Sequence, residues 1–324
     1  MENSRIFILQ VLDILKEFSD ENHYLKQSKI VSLLKDRNIN CARRAVSRAV
    51  QELTEYGYDI STLPHKGYAL FSRDFDKSEA EYLIHAVYSS KTISRTASNE
   101  LVKTIEEGFS KYDRKDFSYL YKSGEISRTD NPEVFLTIGL LEEAIQKNRM
   151  VSFEYYTIDS DLVIKPKKEG KRYPFSPYYL FVNNGSYFVI GNTSPHDALS
   201  IYRISNIKDL LIESDERVLL SKVDKDFKID EYVKDHVYPI IDKVIEAKLS
   251  FSSPNLVNQI QGWFGNNVSI EKKGEEYLAT VRNGERCLYL WMIHYADVVK
   301  IISPDSLREQ VMDYGKRIEE MYKG

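Results

Sequence analysis

The chain has 324 residues, 42% of them hydrophobic and 29% charged, with 14 Gly and 9 Pro, which excludes collagen-like, low-complexity and extensively disordered proteins. That length exceeds one ordinary core and implies two or three domains. A net charge of −4 argues against a protein that coats nucleic acid along its whole length.

Along the chain, Ile6, Leu9, Val11, Leu12, Leu15 and Phe18 form one apolar stripe of a first helix, ending before Ser19-Asp20-Glu21-Asn22. Its acidic, amphipathic start is not a leader pattern, and no run of about 18 apolar residues follows, so a soluble cytoplasmic protein without membrane contact is expected. Ile30, Leu33 and Leu34 mark a second, shorter helix between Gln27 and Lys35, broken at Asp36 to Asn40. A third helix spans Cys41 to Tyr56. At 100° per residue Val46, Val50 and Leu53 share its inner face, and Arg44, Arg48 and Gln51 lie almost opposite. Gly57 stops it, and Tyr58 to Ile60 and Tyr68 to Phe71 read as two strands joined by Ser61 to Gly67.

Three helices and a hairpin read as a winged helix-turn-helix over residues 1–73. From Tyr24 to Val50 seven cations (Lys26, Lys29, Lys35, Arg37, Arg43, Arg44 and Arg48) stand against Asp36 alone, a localised anion-binding surface on an acidic chain. A solvated helix face is the alternative for such arginines. Here the helix is the second of a close pair, carries cations without interleaved Glu on its polar face and runs into a hairpin, as in a DNA-reading helix and wing. Arg43, Arg44, Ser47, Arg48 and Gln51 are the candidates facing bases, and Lys26, Lys29 and Lys66 those facing phosphates of double-stranded DNA.

Ser78-Glu79-Ala80-Glu81 reads as a capping box opening a helix with Leu83, Ile84 and Val87, and Ala97, Leu101 and Ile105 mark another. Residues 74–148 are thus a helical linker or dimerisation region, with a polar, Tyr-rich stretch from Ser110 to Asn131 and a helix from Pro132 to Asn148. From Met150 the pattern turns to strands: Val151 to Tyr155, Tyr178 to Val182, Ser186 to Ile190 and Leu199 to Arg203, with Asn183-Asn184-Gly185 as a tight turn. These imply a small barrel-like sheet over 149–215, beside a basic run from Lys165 to Arg172. Residues 240–324 alternate as βαββαβ, a ferredoxin-like unit, closed by a helix from Pro304 to Tyr322. The fold class expected is multidomain α+β.

Three stretches of this sequence resemble the WYL-domain transcriptional regulators, and the resemblance covers essentially the whole chain. Cys41 to Leu53 with Gly57-Tyr58-Asp59-Ile60 and Lys66-Gly67-Tyr68 looks like that family's recognition helix and wing. Lys171-Arg172-Tyr173-Pro174-Phe175-Ser176-Pro177-Tyr178-Tyr179-Leu180 and Tyr187-Phe188-Val189-Ile190-Gly191 resemble its central domain, with Tyr187-Phe188-Val189 standing for the name-giving Trp-Tyr-Leu. Trp291-Met292-Ile293 and Val298 through Arg308 resemble its C-terminal extension. Where the family often has two arginines, Tyr202-Arg203-Ile204-Ser205-Asn206-Ile207 keeps the first only. The resemblance implies an Sm-like or SH3-like central barrel that senses an anionic effector, for some relatives a nucleotide or nucleic acid fragment, with Arg203 as its principal contact. Lys171 and Arg172 can pair with phosphates, Tyr155, Tyr178, Tyr187 and Tyr202 offer stacking faces, and Ser176 lies in the matching stretch. For any one strand tyrosine a core role stands beside the ligand role.

A homodimeric, ligand-responsive DNA-binding regulator reading a pseudo-palindrome is the expected function. An accessory binder of RNA or single-stranded DNA is the alternative, and a nucleotide-acting enzyme is the less favoured one. His23, His65, His85, His196, His236 and His294 show no metal-ligand spacing, no Gly-rich phosphate loop occurs, and the two distant cysteines, Cys41 and Cys287, lack a nucleophile signature and a partner set for metal or disulfide. A reducing compartment, no cofactor and no catalytic residue are therefore expected.

Overall fold

The structure, a computed structural model, describes residues 2–117, 128–167, 170–193, 195–196 and 198–323. It forms two compact units, Met1–Asp130 and Asn131–Gly324, of mixed helix and sheet.

The first unit opens with α1 (Glu2–Phe18), α2 (Gln27–Asp36) and α3 (Arg43–Tyr56), then the hairpin β1 (Ile60–Leu63) and β2 (Gly67–Leu70). Val11, Ile14 and Leu15 of α1, Ile30 and Leu34 of α2, and Val46, Val50 and Leu53 of α3 make one buried core with Ile60 and Leu70. Gly57 ends α3 at φ 118°. Its N–H donates to the Thr54 carbonyl and that of Tyr58 to the Leu53 carbonyl, the paired bonds of a Schellman stop that only glycine enters without strain. Because Gly57 and Tyr58 are spent on this stop, the first strand starts only at Ile60, later than its pattern suggests, while the second starts at Gly67, one residue earlier, with Pro64 to Lys66 as the loop.

Leu25 adds a third rung, exchanging backbone hydrogen bonds of 2.8 and 2.9 Å with Tyr68. A Cβ on Gly67 would stand 2.0 Å from the Leu25 carbonyl oxygen, and Gly67 holds φ +110°. Gly67→Ala is therefore expected to destabilise this unit by at least about 1–3 kcal/mol, read as a lower thermal midpoint. An unchanged midpoint would contradict the close approach.

Next come α4 (Lys77–Ser89), α5 (Arg95–Glu107) and the short α6 (Asp113–Asp116). The capping box belongs to Asp76 rather than Ser78: the Glu79 N–H donates to Asp76 Oδ1 and the Asp76 N–H to Glu79 Oε2. Ser78 turns its hydroxyl onto Asp76 at 2.7 Å instead, so the carboxylate, the stronger acceptor, holds the cap. The polar stretch after Ser110 starts as an anchored segment. Ser110 Oγ donates to Asp20 at 2.6 Å, and the Asp20 carboxylate also accepts from His23 Nδ1 at 2.7 Å; burial raises its pKa, and these hydrogen bonds outweigh that and hold it below the usual carboxylate range. The part of that stretch over 118–127 lies outside the described residues, as do Lys168 and Glu169 of the basic run.

The second unit begins with α7 (Val134–Gln146), packed on strands β3 (Arg149–Ile158), β4 (Ile164–Pro166), β5 (Tyr173–Asn183), β6 (Ser186–Thr193), β7 (Leu199–Arg203) and β8 (Ile207–Glu216). The sheet runs β4-β3-β5-β6-β7, and β8 returns to pair with β3. Beyond α8 (Leu220–Val223) and α9 (Ile229–Asp235), β9 (Val244–Phe251), α10 (Asn255–Phe264), β10 (Val268–Lys273), β11 (Glu276–Gly284), α11 (Glu285–Tyr295) and β12 (Lys300–Ser303) follow in βαββαβ order. Their strands lie β10-β11-β9-β12, and Trp291, Leu288, Ile260, Leu249 and Val281 fill the core beneath the helices. The last helix, α12 (Asp305–Lys323), covers it through Leu307. No helix among the described residues is long and apolar enough to cross a membrane.

Candidate nucleic-acid and effector surfaces

On α3, burial of Val46, Ala49, Val50 and Leu53 forces the opposite face outward. Arg43, Arg44, Ser47, Arg48 and Gln51 are all exposed, as are Lys26 and Lys29 at the start of α2 and Lys66 in the hairpin loop. These eight sequence candidates belong to the same unit, on the helices and hairpin that its core locks together. Among the described residues the side chains of Arg43, Arg44 and Arg48 engage no hydrogen bond or ion pair. Arg37 differs, since its guanidinium is held by Glu17 at 2.9 Å and Gln10 at 3.3 Å, which ties α2 to α1.

Two of the polar candidates are held within the unit. Gln27 Nε2 donates to the Arg43 carbonyl at 2.7 Å and to Ser47 Oγ at 2.5 Å, and Ser47 Oγ lies 3.2 Å from the Tyr68 hydroxyl. Gln51 Nε2 donates to Glu55 Oε1 at 2.8 Å. Gln27 and Tyr68 were not legible as site residues, because their partners are 20 and 21 positions away.

In the second unit the inward side chains of the sheet are aromatic. Tyr155 and Tyr202 lie 5.0 Å apart between ring centroids and Phe153 and Tyr202 5.1 Å, all edge to face. Tyr173 and Phe175 stand 5.8 and 5.3 Å from Tyr202, arrangements that favour the ring quadrupoles. The Tyr202 hydroxyl bonds Thr193 Oγ1 at 3.0 Å. Tyr155 reaches the end of β7, where its hydroxyl accepts hydrogen bonds from the Arg203 backbone and the Asn206 side chain. Burial nevertheless raises its pKa above the ordinary tyrosine value. Arg203 follows Tyr202 on the strand, so alternation turns it to the other face, opposite Phe188 in register. Its Nε is buried without a hydrogen-bond partner.

Other candidates close the barrel. Ser176 is fully buried and its Oγ accepts the Val218 N–H at 3.0 Å. The Tyr178 hydroxyl donates to the Val218 carbonyl at 2.9 Å beneath the Arg217 guanidinium. Arg172 donates from Nε to Ser152 Oγ at 2.9 Å and from Nη2 to the carbonyls of Ser152 and Asp209, stitching β5 to β3 and β8. Lys171 is exposed, and Tyr187 on β6 is 37% exposed beside buried Val189. The structure thus brings Tyr155 and Tyr202 together, with Asn206 and the Arg203 backbone beside the Tyr155 hydroxyl, turns the Arg203 side chain to the other face, and places Ser176, Tyr178 and Arg172 in structural bonds. Tyr173 joins the ring cluster, although strand alternation alone did not separate it from its neighbours.

Burial pushes the Tyr178 hydroxyl up to about 12, against roughly 10 in an unfolded chain. The folded state therefore holds this proton more tightly, and the stability involved is present below pH 10 and lost as pH rises toward 12. Tyr178→Phe is expected to lower stability by about 1 kcal/mol at neutral pH and to flatten that alkaline loss. Denaturant titrations at pH 8 and pH 11 check both, and an unchanged alkaline slope would contradict the assignment.

Among the described residues no group of three or more His, Cys, Asp or Glu side chains is placed to hold a metal. Two solved structures of low similarity are among those that match this chain. One is proteasome accessory factor B/C (PafBC) of Arthrobacter aurescens, at 14% identity and a TM-score of 0.28, with 95% of this chain aligned to 47% of that one. The other is a CRISPR Cas-related protein, at 14% identity and a TM-score of 0.37, covering 78% of this chain and 75% of that one. This chain therefore spans about half the length of the PafBC chain. No curated protein matches it. The sequence pattern of the WYL domain family matches residues 137–212, which run from within α7 into β8 and contain the whole aromatic cluster with Arg203. The chain therefore contains a WYL domain.

Proposed function

We propose that this protein is a DNA-binding transcriptional regulator whose WYL domain senses an anionic ligand. The observation that carries the reading is the row of exposed, unpaired arginines on α3, braced by α1, α2 and the hairpin. Read as a winged helix-turn-helix, this unit presents α3 to the major groove and Lys66 to the backbone, while Lys26 and Lys29 neutralise phosphates. One such unit makes few contacts, so a homodimer reading a pseudo-palindrome is proposed, with half-sites about one helical turn apart or a multiple of it.

In the WYL domain the proposed anion contact is Arg203, whose buried Nε lacks a partner, on the sheet face opposite Tyr202; Tyr155, Tyr202 and Tyr187 are proposed as stacking faces and Lys171 as a second cation. Arg172, Ser176 and Tyr178 support that site by holding the strands. Asn206, bonded to Tyr155, stands where the resemblance places a second arginine, so the proposed site carries one fewer cation. The effector class is a nucleotide or short single-stranded nucleic acid, bound by one charge-assisted pair and aromatic stacking.

The test is a binding titration of duplex DNA with and without short oligonucleotides, using the wild type and Arg203→Ala. Expected is an oligonucleotide-dependent change in duplex affinity that Arg203→Ala reduces at least tenfold in midpoint, with duplex affinity alone unchanged. If single strands bind tightly and duplex does not, the accessory single-strand binder replaces this reading.

A further inference from the structure

The polar residues of α3 are unevenly engaged within the protein, and the hydrogen bonds on its surface show how. Ser47 is engaged twice, by Gln27 Nε2 at 2.5 Å and by the Tyr68 hydroxyl at 3.2 Å, and Gln27 also holds the Arg43 carbonyl. These bonds join the start of α2, the first turns of α3 and the second hairpin strand. Tyr68 is fixed in turn by its two backbone bonds to Leu25 and by Gly67 against the Leu25 carbonyl. Gln51 is drawn along the helix to Glu55, and with Glu52 the C-terminal half of α3 is acidic, so phosphates are disfavoured there. The unengaged side chains of the N-terminal half are Arg43, Arg44 and Arg48, and of these Arg44 and Arg48 stand one helical turn apart on the same stripe, with Arg43 about 100° round the helix from Arg44.

Resting on the DNA-reading role proposed for this unit, we infer that sequence specificity is carried by Arg44 and Arg48, each on one guanine, and that Gln27, Ser47 and Tyr68 position them without reading bases. Guanine is the base because its O6 and N7 are paired acceptors in the major groove, matching the donor-only fork of arginine. The spacing follows from geometry. Four residues rise about 6 Å along a helix, and stacked base pairs about 3.4 Å, so the two guanines lie roughly two base pairs apart in each half-site. Ser47 serves as the node of a relay that sets the hairpin against α3, which makes its contribution independent of the base sequence.

The experiment selects bound sequences from a random duplex pool with the full-length protein, then replaces each enriched guanine by 7-deazaguanine, which lacks the N7 acceptor. Each replacement is expected to weaken the wild type roughly 5- to 150-fold, with Arg44→Ala insensitive at one position and Arg48→Ala at the other. Ser47→Ala should weaken all duplexes evenly without relaxing any position, and Ser47→Thr, which keeps the hydroxyl, should restore affinity. Two outcomes overturn the inference while leaving DNA reading intact: an enriched site without such a guanine pair, or a Ser47→Ala protein that loses preference at one base only. A pool with no enrichment, together with an Arg44→Ala/Arg48→Ala protein that binds duplex like the wild type, removes the DNA-reading role itself.

Discussion

Replacing Arg44 and Arg48 together by alanine is expected to remove specific duplex binding while leaving the fold unchanged. Two bidentate arginine–base contacts at about 1–3 kcal/mol each amount to a loss of roughly 30-fold to 10⁴-fold in affinity. Stability should move by no more than about 0.5 kcal/mol, because both side chains are exposed and unpaired. Anisotropy titrations at about 0.15 M salt, where non-specific phosphate binding is weakened, paired with thermal melts, check the two halves of the statement. Near-wild-type affinity would remove α3 from the DNA interface. A collapse of the melting midpoint would show that the arginines serve the fold instead.

Phe153→Ala is expected to give the largest loss of stability in the WYL domain. Phe153 is fully buried and packs against Tyr155, Tyr173, Phe175 and Tyr202 at 5.1–6.5 Å, stacked on Tyr173 and edge to face with the others, so truncation leaves a cavity that these interlocked rings cannot collapse into. The cost is about 3–5 kcal/mol, read as a lower midpoint in calorimetry. Tyr202→Phe keeps the ring and loses only the bond to Thr193, about 1 kcal/mol. Equal effects from the two substitutions would show that the cluster is held by its hydroxyl rather than by packing.

The helices of the first unit were legible because Val46, Val50 and Leu53 repeat at helical spacing opposite Arg44 and Arg48, and because Gly57 marks a stop with one physical meaning. The βαββαβ order was equally visible, since its strands and helices alternate period two with period 3.6. β8 escaped notice: Asp209 takes φ 50° where the β3–β8 register shifts, so the alternation that announces a strand is broken at that bulge. The cap at Asp76 was misplaced by two residues because Asp76 and Ser78 are both good caps, and backbone conformation decides between them. Among the site residues, exposure on α3 followed from periodicity, whereas the fates of Ser176, Tyr178 and Arg172 did not. Their partners, Val218, Ser152 and Asp209, lie 20 to 42 positions away, and pairing at that range has no local pattern. The same is true of Gly191, where a Cβ would stand 2.2 Å from the Ser176 carbonyl oxygen.

The most direct test of the account is selection of bound duplexes from a random pool by the purified full-length protein at about physiological salt. The account predicts one enriched pseudo-palindrome with half-sites separated by about one helical turn or a multiple of it, absent from the same selection with Arg44→Ala/Arg48→Ala. Enrichment that survives this substitution, or tight binding of single strands with no duplex preference, would contradict it.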